Sequence, residues 1–194
     1  MLKHLAGFIS VLVSIMGLSN VSFAAAANYD VIGRVPQICA VDQPQLQGGT
    51  AAVNATIVSG QTILINQLTD PTTLATNAAS FDISFDAMCN YAHRLVVESQ
   101  NNGLWPNITT SGAPGFGNAV PYSADILWAD TNATMDADAS VRQIKDVSIP
   151  VGRPAEGQIE LRFKLQPGAS NAQLFSPLLA GTYRDVIRVT VEPQ

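Results

Sequence analysis

The sequence predicts an all-β protein, an antiparallel β-sandwich held by one disulfide. Short segments alternate apolar and polar residues, which is the period of a half-buried strand. Turns rich in Gly, Pro and Asn separate these segments at fairly regular intervals. No stretch has the apolar spacing of a long amphipathic helix, so the pattern favours two packed sheets over a helical or mixed fold.

The expected strands are the segments with apolar residues at every second position. They cover residues 81–89, 93–97, 122–128, 147–151, 159–165 and 181–191, and residues 51–68 are expected to hold two more. Residues 105–120 are rich in Gly and Pro and are expected to form a loop. Residues 130–140 are polar and rich in Ala, which predicts a loop or a short helical turn.

Residues 1–24 have the composition of a secretory signal peptide, with cleavage expected near residues 24–26. Lys3 supplies a positive start, residues 5–18 form an apolar run that is short for a membrane span, and small residues follow. The alternative is an uncleaved membrane anchor. We expect an exported mature chain of roughly 170 residues, which suits a single domain.

The charge composition bears on the class of partner. Only 13% of the residues are charged, the formal net charge is -5, and the basic residues are scattered along the chain. A nucleic-acid-binding protein needs clustered Lys and Arg to replace the counterions of the phosphates. We therefore expect no nucleic-acid partner.

Two cysteines, Cys39 and Cys89, occur in the whole chain. An even number of cysteines in an exported protein favours one disulfide. In the chain-entropy model, this crosslink would stabilise the folded protein by about 3 to 4 kcal/mol. The alternative is two buried free thiols.

Residues that could support catalysis or metal binding are sparse. His93 is the only histidine after the signal, and it alternates with apolar residues, so we interpret it as a packed histidine. Residues 130–138 carry oxygen side chains at every second position, as a calcium loop does. Met135 replaces the turn glycine of such a loop, and Val141 replaces its last carboxylate. We expect no catalytic residue, no cofactor and no metal.

Two apolar strands are expected near the ends of the chain. In the terminal strand, Tyr183, Ile187, Val189 and Val191 share one face, and the printed sequence offers no later segment to cover its edge. Residues 27–36 form the other segment. Its shared face consists of Tyr29, Val31, Gly33 and Val35, and it could also be an ordinary first strand of the sandwich.

Four segments together resemble one known family, the spore coat protein U domain. They are Phe-Asp-Ile-Ser-Phe-Asp-Ala-Met-Cys at residues 81–89, Leu-Val-Val-Glu-Ser at 95–99 followed by Asn-Asn-Gly at 101–103, Tyr-Ser-Ala-Asp-Ile-Leu-Trp-Ala-Asp at 122–130, and Ala-Gly-Thr-Tyr-Arg-Asp-Val-Ile-Arg-Val-Thr-Val at 180–191. The family includes subunits of archaic (Csu-type) chaperone-usher pili. The resemblance covers most of the mature chain.

The resemblance implies a fold and a mechanism. Residues 37–194 would form an incomplete immunoglobulin-like sandwich that lacks its last strand. A periplasmic pilus chaperone would fill the gap first, and the donor strand of another pilin subunit would replace it at an outer-membrane usher. Tyr29, Val31, Gly33 and Val35 would then be the donor face, and Ile187, Val189 and Val191 would line the acceptor groove.

The implied role is that of a non-enzymatic structural subunit of a cell-surface fimbria, exported through the periplasm, that serves attachment and biofilm formation. The alternative is a secreted, self-contained sandwich that binds a carbohydrate or other surface ligand, with the N-terminal strand folded back onto its own domain. Its candidate stacking residues are Trp105, Phe116, Tyr122 and Trp128.

Overall fold

The computed structural model describes residues 30–43, 45–46, 52–59, 61–107 and 112–194. The predicted signal peptide, residues 1–24, and the predicted donor residue Tyr29 lie outside these residues. The chain divides into two units, Met1–Val35 and Pro36–Gln194. The described residues of the first unit, 30–35, form no strand, although a strand is predicted there.

The second unit is built from strands. They are β1 Cys39–Val41, β2 Gln45–Leu46, β3 Ala55–Ser59, β4 Thr62–Ile65, β5 Ala79–Cys89, β6 His93–Ser99, β7 Trp105–Pro106, β8 Tyr122–Trp128, β9 Thr131–Ala137, β10 Lys145–Val151, β11 Ala155–Leu165, β12 Tyr183–Arg184 and β13 Ile187–Pro193. The described residues contain no helix, and so none that could cross a membrane.

Two antiparallel sheets carry the fold. The larger has the order β1-β5-β11-β8-β9, with β2 also paired to β5. The smaller has the order β10-β6-β13. Two short pairs, β3–β4 and β7–β12, lie outside these sheets. The predicted all-β class is confirmed, and the arrangement is that of a β-sandwich.

One hydrophobic core lies between the sheets. Leu95 and Val97 of β6 and Ile126 of β8 are fully buried, as are Ile159 and Leu161 of β11. They occupy the inward positions that the two-residue alternation predicts, so the predicted inner faces of these strands are confirmed. Apolar burial of this kind is the main favourable term in the folding of such a domain.

His93 and Trp128 join the two sheets through the core. The indole Nε1 of Trp128 donates to Nε2 of His93 at 2.9 Å, and His93 Nδ1 lies 2.8 Å from the carbonyl oxygen of Tyr91. A neutral ring with its proton on Nδ1 satisfies both contacts. Because His93 is fully buried and both nitrogens are used, it is a packed histidine, as predicted.

The prediction of a loop or helical turn at residues 130–140 is wrong, because β9 occupies most of this range. Ala129 and Asp130 form a two-residue connection from β8, both with positive φ (51° and 67°), as a tight hairpin requires. The inward residues of β9, Met135 and Ala137, are fully buried. The weak β propensity of Ala and Asn hid this strand, which packing against the core stabilises.

The predicted terminal strand is interrupted at residues 185–186. Tyr183 and Arg184 form β12, which pairs with β7, whereas β13 begins at Ile187 and pairs with β6. Tyr183 therefore belongs to a different sheet from Ile187, Val189 and Val191, and the prediction of one continuous strand is wrong. The backbone amide of Gln100 donates to the carbonyl of Val186 across the break.

The predicted disulfide is present between Cys39 and Cys89, which lie directly opposite each other on β1 and β5. It closes a sequence separation of 50 residues. Such a crosslink limits the conformations of the unfolded chain and fastens the short first strand to the long central one.

Replacing both cysteines by alanine should lower the free energy of unfolding by about 3 to 4 kcal/mol, because the unfolded chain regains the entropy of the open loop. Urea unfolding of the double variant and of the oxidised protein would measure the difference. A control is the Met88→Ala variant, whose exposed side chain lies next to the bond. A double variant as stable as the oxidised protein would contradict this expectation.

Candidate functional site

The edge of β13 is one of the two outer edges of the smaller sheet. In the part of the chain that the structure describes, β13 pairs with β6 alone, and no strand is hydrogen-bonded to its other side. An unpaired edge presents a row of backbone N–H and C=O groups that can pair with another strand.

Burial in the smaller sheet is greatest at the central strand and lowest at β13. The inward residues of β6 are buried, Val97 fully so, and Ile149 and Val151 of β10 are buried while Val147 is half-buried. Directly opposite Val97, Val189 of β13 is only half-buried, and so are its neighbours Ile187 and Val191. These three side chains pack against the core on one side and lack cover on the other.

The larger sheet ends at β1, next to β13. β1 contacts β13, and Val41 of β1 lies opposite the buried Ala87 of β5, so Val41 faces inward. Even so, 38% of Val41 is exposed. We call the partly exposed apolar surface of β1 and β13, formed by Val41, Ile187, Val189 and Val191, the β13 groove.

The outer face of β13 is polar and fixes its register on β6. Glu192 accepts from Arg94 at 2.7 Å, and Arg188 lies 3.7 Å from Glu98. Both pairs are partly exposed, and ion pairs of this kind contribute at most about 1 kcal/mol each. Their main effect is on alignment, since a one-residue slip would turn Val189 outwards.

The carboxylate of Asp185 holds the chain two residues before β13 begins. It accepts hydrogen bonds from Ser99 Oγ (2.5 Å), from the Asn101 backbone and side-chain amides (3.0 and 3.2 Å), from the Gly103 amide (3.4 Å) and from the Tyr122 hydroxyl (2.7 Å). These donors come from the end of β6, the turn after it and the start of β8. Asp185 therefore ties both sheets together where the chain enters β13.

Tyr122 is kept as a donor to this carboxylate. Burial raises the pKa of the Tyr122 hydroxyl well above its usual value, and the negative charge of Asp185 raises it further. The hydroxyl therefore keeps its proton throughout the physiological pH range. A protonated hydroxyl and an ionised carboxylate form a charge-assisted hydrogen bond, which is stronger than a neutral one.

The turn at residues 101–103 stabilises the same end of the sandwich. The side-chain amide of Asn102 is buried and donates to Asp138 at 2.6 Å, and its oxygen accepts from the Asp138 amide at 3.1 Å. Hydrogen bonds from the Ser140 amide and hydroxyl and from Asn102 lower the pKa of Asp138 to about 2. Asn102 and Gly103 both have positive φ, which these residue types tolerate best.

The predicted donor residues that the structure describes belong to the first unit of the chain. Val31, Gly33 and Val35 lie in the unit Met1–Val35, in residues without regular secondary structure, and the side chains of Val31 and Val35 are almost fully exposed. The segment retains the alternating sequence of a strand. Its function as a donor stays a prediction.

The aromatic residues considered for ligand stacking have different environments. Tyr122 and Trp128 are buried in the core, and Trp105 is half-buried on β7 with its indole nitrogen shielded from solvent. Phe116 is partly exposed. Among the four, only Phe116 offers a ring to a ligand without rearrangement of the fold.

The carboxylates form no metal-binding constellation among the residues described. Those of the calcium-like segment lie on β9, where Asn132, Thr134 and Asp136 point outward from an extended strand. Side chains two positions apart on a strand are roughly 7 Å apart, so they cannot surround one ion. Oxygens at every second position here reflect the strand period.

A matched pair of variants tests the burial gradient. Val97→Ala should lower the free energy of unfolding by about 2 kcal/mol or more, because it removes two buried methyl groups and leaves a cavity. Val189→Ala, directly opposite, should lower it by about 1 kcal/mol or less. Chemical unfolding of the isolated protein gives both values, and equal losses would mean that β13 is covered in solution.

A second pair tests the carboxylate that holds β13. Asp185→Ala should cost about 2 to 4 kcal/mol, since it leaves several half-buried donors without a partner. Tyr122→Phe removes only one of these hydrogen bonds and should cost about 1 kcal/mol. Unfolding in urea would compare them, and an Asp185→Ala variant no less stable than Tyr122→Phe would contradict the arrangement described.

Compared with known proteins, the chain matches no protein-family model, and no curated protein matches it with statistical significance. The interpretation of the groove therefore depends on its own geometry and chemistry.

Proposed function

We propose that this protein is a structural, non-enzymatic subunit of an extracellular fibre of the chaperone-usher type, assembled by donor-strand exchange. The observation that carries the proposal is the β13 groove, where an unpaired strand edge and four incompletely covered apolar side chains occur together. The sequence resemblance to the spore coat protein U domain supports the same mechanism.

A β-strand is the ligand that fits the groove best. Its backbone would satisfy the free N–H and C=O groups of β13, and its alternate side chains would enter the gap between the sheets. The smaller sheet would then have four strands in the order β10-β6-β13-donor. A small-molecule ligand could cover the apolar side chains but would leave most of the edge unpaired.

Residues 27–36 supply a strand of suitable length and pattern. Seven residues, 29–35, match the seven residues of β13. Their alternate positions carry Tyr29, Val31, Gly33 and Val35, which are apolar or small, whereas Asp30 and Arg34 fall on the opposite face.

Chain geometry favours donation between molecules. The side chain of Asn90 clamps the start of the domain, since its Nδ2 donates to the carbonyl of Pro36 at 2.8 Å and its Oδ1 accepts from the amide of Ile38 at 2.9 Å. Asn90 follows Cys89, at the end of the sandwich where β13 finishes. Pro36 is therefore held at that end.

An antiparallel donor on β13 would need Val35 at the opposite end, beside Ile187. That end is about 20 Å away at the rise of a β-strand, whereas one residue spans at most about 3.6 Å. A segment in this orientation must therefore come from another molecule. All the strand pairs of the two sheets are antiparallel, which favours this orientation over a parallel strand from the same chain.

The partners follow from the mechanism. Before assembly, a periplasmic chaperone would cover β13 with a strand of its own, and exchange would take place at an outer-membrane usher. Each subunit would then hold the next through a head-to-tail contact, which builds an open filament. Attachment to surfaces and biofilm formation would be the role of that filament.

The donor face is tested by two substitutions in the full chain, coexpressed with its chaperone and exported. Val31→Asp places a charge on the face that would enter the groove, so it should abolish the ladder of polymers that resists detergent without heating. Ile32→Asp is the matched control, because Ile32 is exposed but falls on the opposite face, and it should polymerise like the unmodified chain. Gel electrophoresis without heating measures both.

Deletion of residues 28–36 gives an independent reading. The truncated protein should stay bound to the chaperone and form no fibres. Fibres made by the truncated chain would falsify the proposal.

A further inference from the structure

Four exposed apolar side chains lie on neighbouring loops at one end of the sandwich. They are Leu74 (45% exposed), Phe116 (40%), Leu174 (73%) and Phe175 (65%). We call this set of side chains the loop patch. Its members lie on three loops, at residues 70–76, 112–119 and 166–179.

Backbone hydrogen bonds tie the three loops together. Leu178 donates to the carbonyl of Leu74 at 2.9 Å, and Gly117 donates to that of Pro177, also at 2.9 Å. The Phe175 amide donates to the carbonyl of Gly168 at 2.8 Å, and the phenyl ring lies so close that a Cβ on Gly168 would meet it at 2.4 Å. These contacts fix the backbone of the three loops, so the loop patch is a preorganised surface.

Two members of the loop patch have an unfavourable backbone conformation. Leu74 and Phe175 have φ of 58° and 62°, in the left-handed region where Gly or Asn would be favoured. Each costs roughly 1 to 2 kcal/mol as a bulky residue there. Large apolar side chains therefore occupy two positions whose backbone conformation favours Gly or Asn, and strain of this kind is common at functional sites.

The position of the loop patch in the fold decides what can reach it. Residues 66–78 lead into Ala79 of β5, and residues 166–179 leave Leu165 of β11, which pairs with Ala79. This is also the end where Asp185 leads into β13. The disulfide, Asn90 and the entry of the chain at Pro36 lie at the opposite end.

We propose that the loop patch binds a second copy of this chain. The surface of the second copy that it contacts is the end of the sandwich that carries the disulfide. The inference rests on the proposed function and adds a second contact to it. An antiparallel donor brings its own Val35 to the Asp185 end of the acceptor. Because Asn90 holds Pro36 on the donor subunit's domain, there is no flexible linker between Val35 and that domain. The donor's domain must therefore contact the Asp185 end of the acceptor.

The surface next to the donor's entry point suits this contact. Ile38 is 49% exposed and directly follows the clamped residues, so an apolar side chain of the donor domain is available where the two copies meet. Burial of Leu174 and Phe175 against it would remove the exposed apolar area and add stiffness to the fibre.

Photo-crosslinking in assembled fibres tests the contact. The photoreactive residue p-benzoylphenylalanine, placed at position 175 in the exported full chain, should crosslink to the neighbouring copy in a peptide that contains Ile38 or Asn90. The same residue at position 58 is the control, because Val58 is also exposed but lies on the β3–β4 hairpin, and it should not crosslink there. Mass spectrometry of the crosslinked peptides identifies the partner.

The proposed function is tested in the same samples by a probe at position 31, which should crosslink to β13. Crosslinks from position 31 to β13 without crosslinks from position 175 to the disulfide end overturn the loop contact alone. Absence of fibres, or of crosslinks from position 31, overturns the proposed function and the loop contact with it.

Discussion

Incomplete burial at β13 is the constraint on which the interpretation of this molecule depends. A β-sandwich is stable because each sheet covers the apolar face of the other and each strand satisfies the backbone of its neighbours. Here that condition holds at the central strand β6 and is met only in part at β13, where Ile187, Val189 and Val191 are half-buried and the outer backbone edge is unpaired. A strand is the one common ligand that corrects both deficits at once.

Contacts on both sides of β13 fix its position in the sandwich. Asp185 accepts hydrogen bonds from β6, from the turn after it and from Tyr122 of β8, so the segment that leads into β13 is fixed to both sheets. The disulfide fastens β1, the other wall of the groove, to β5. A preorganised groove loses less conformational entropy on binding a strand, which favours tight and lasting association.

Much of the fold could be predicted because burial in a sandwich follows a two-residue period. The inner faces of β5, β6, β8 and β11 were expected from alternation, and they form the core. β9 was not expected, since its Ala, Asn and Thr residues have weak strand preference and its hairpin turn lacks the usual Asn-Gly. The break at residues 185–186 was not expected either, because the apolar alternation continues in phase across it. The break coincides with the hydrogen bonds that Asp185 accepts from Asn101 and Tyr122, which are far away in sequence.

By itself, the sequence determined the all-β class, the inward residues of the long strands, the disulfide and the alternating pattern of the segment before the domain. These are local properties, set by side-chain period and by cysteine count. Only the tertiary structure decided that β13 lies at an edge of its sheet, that Val41 and β13 together form the groove, and that the chain enters the domain at the end opposite Asp185. Those facts depend on contacts between residues far apart in the chain, which no local pattern encodes.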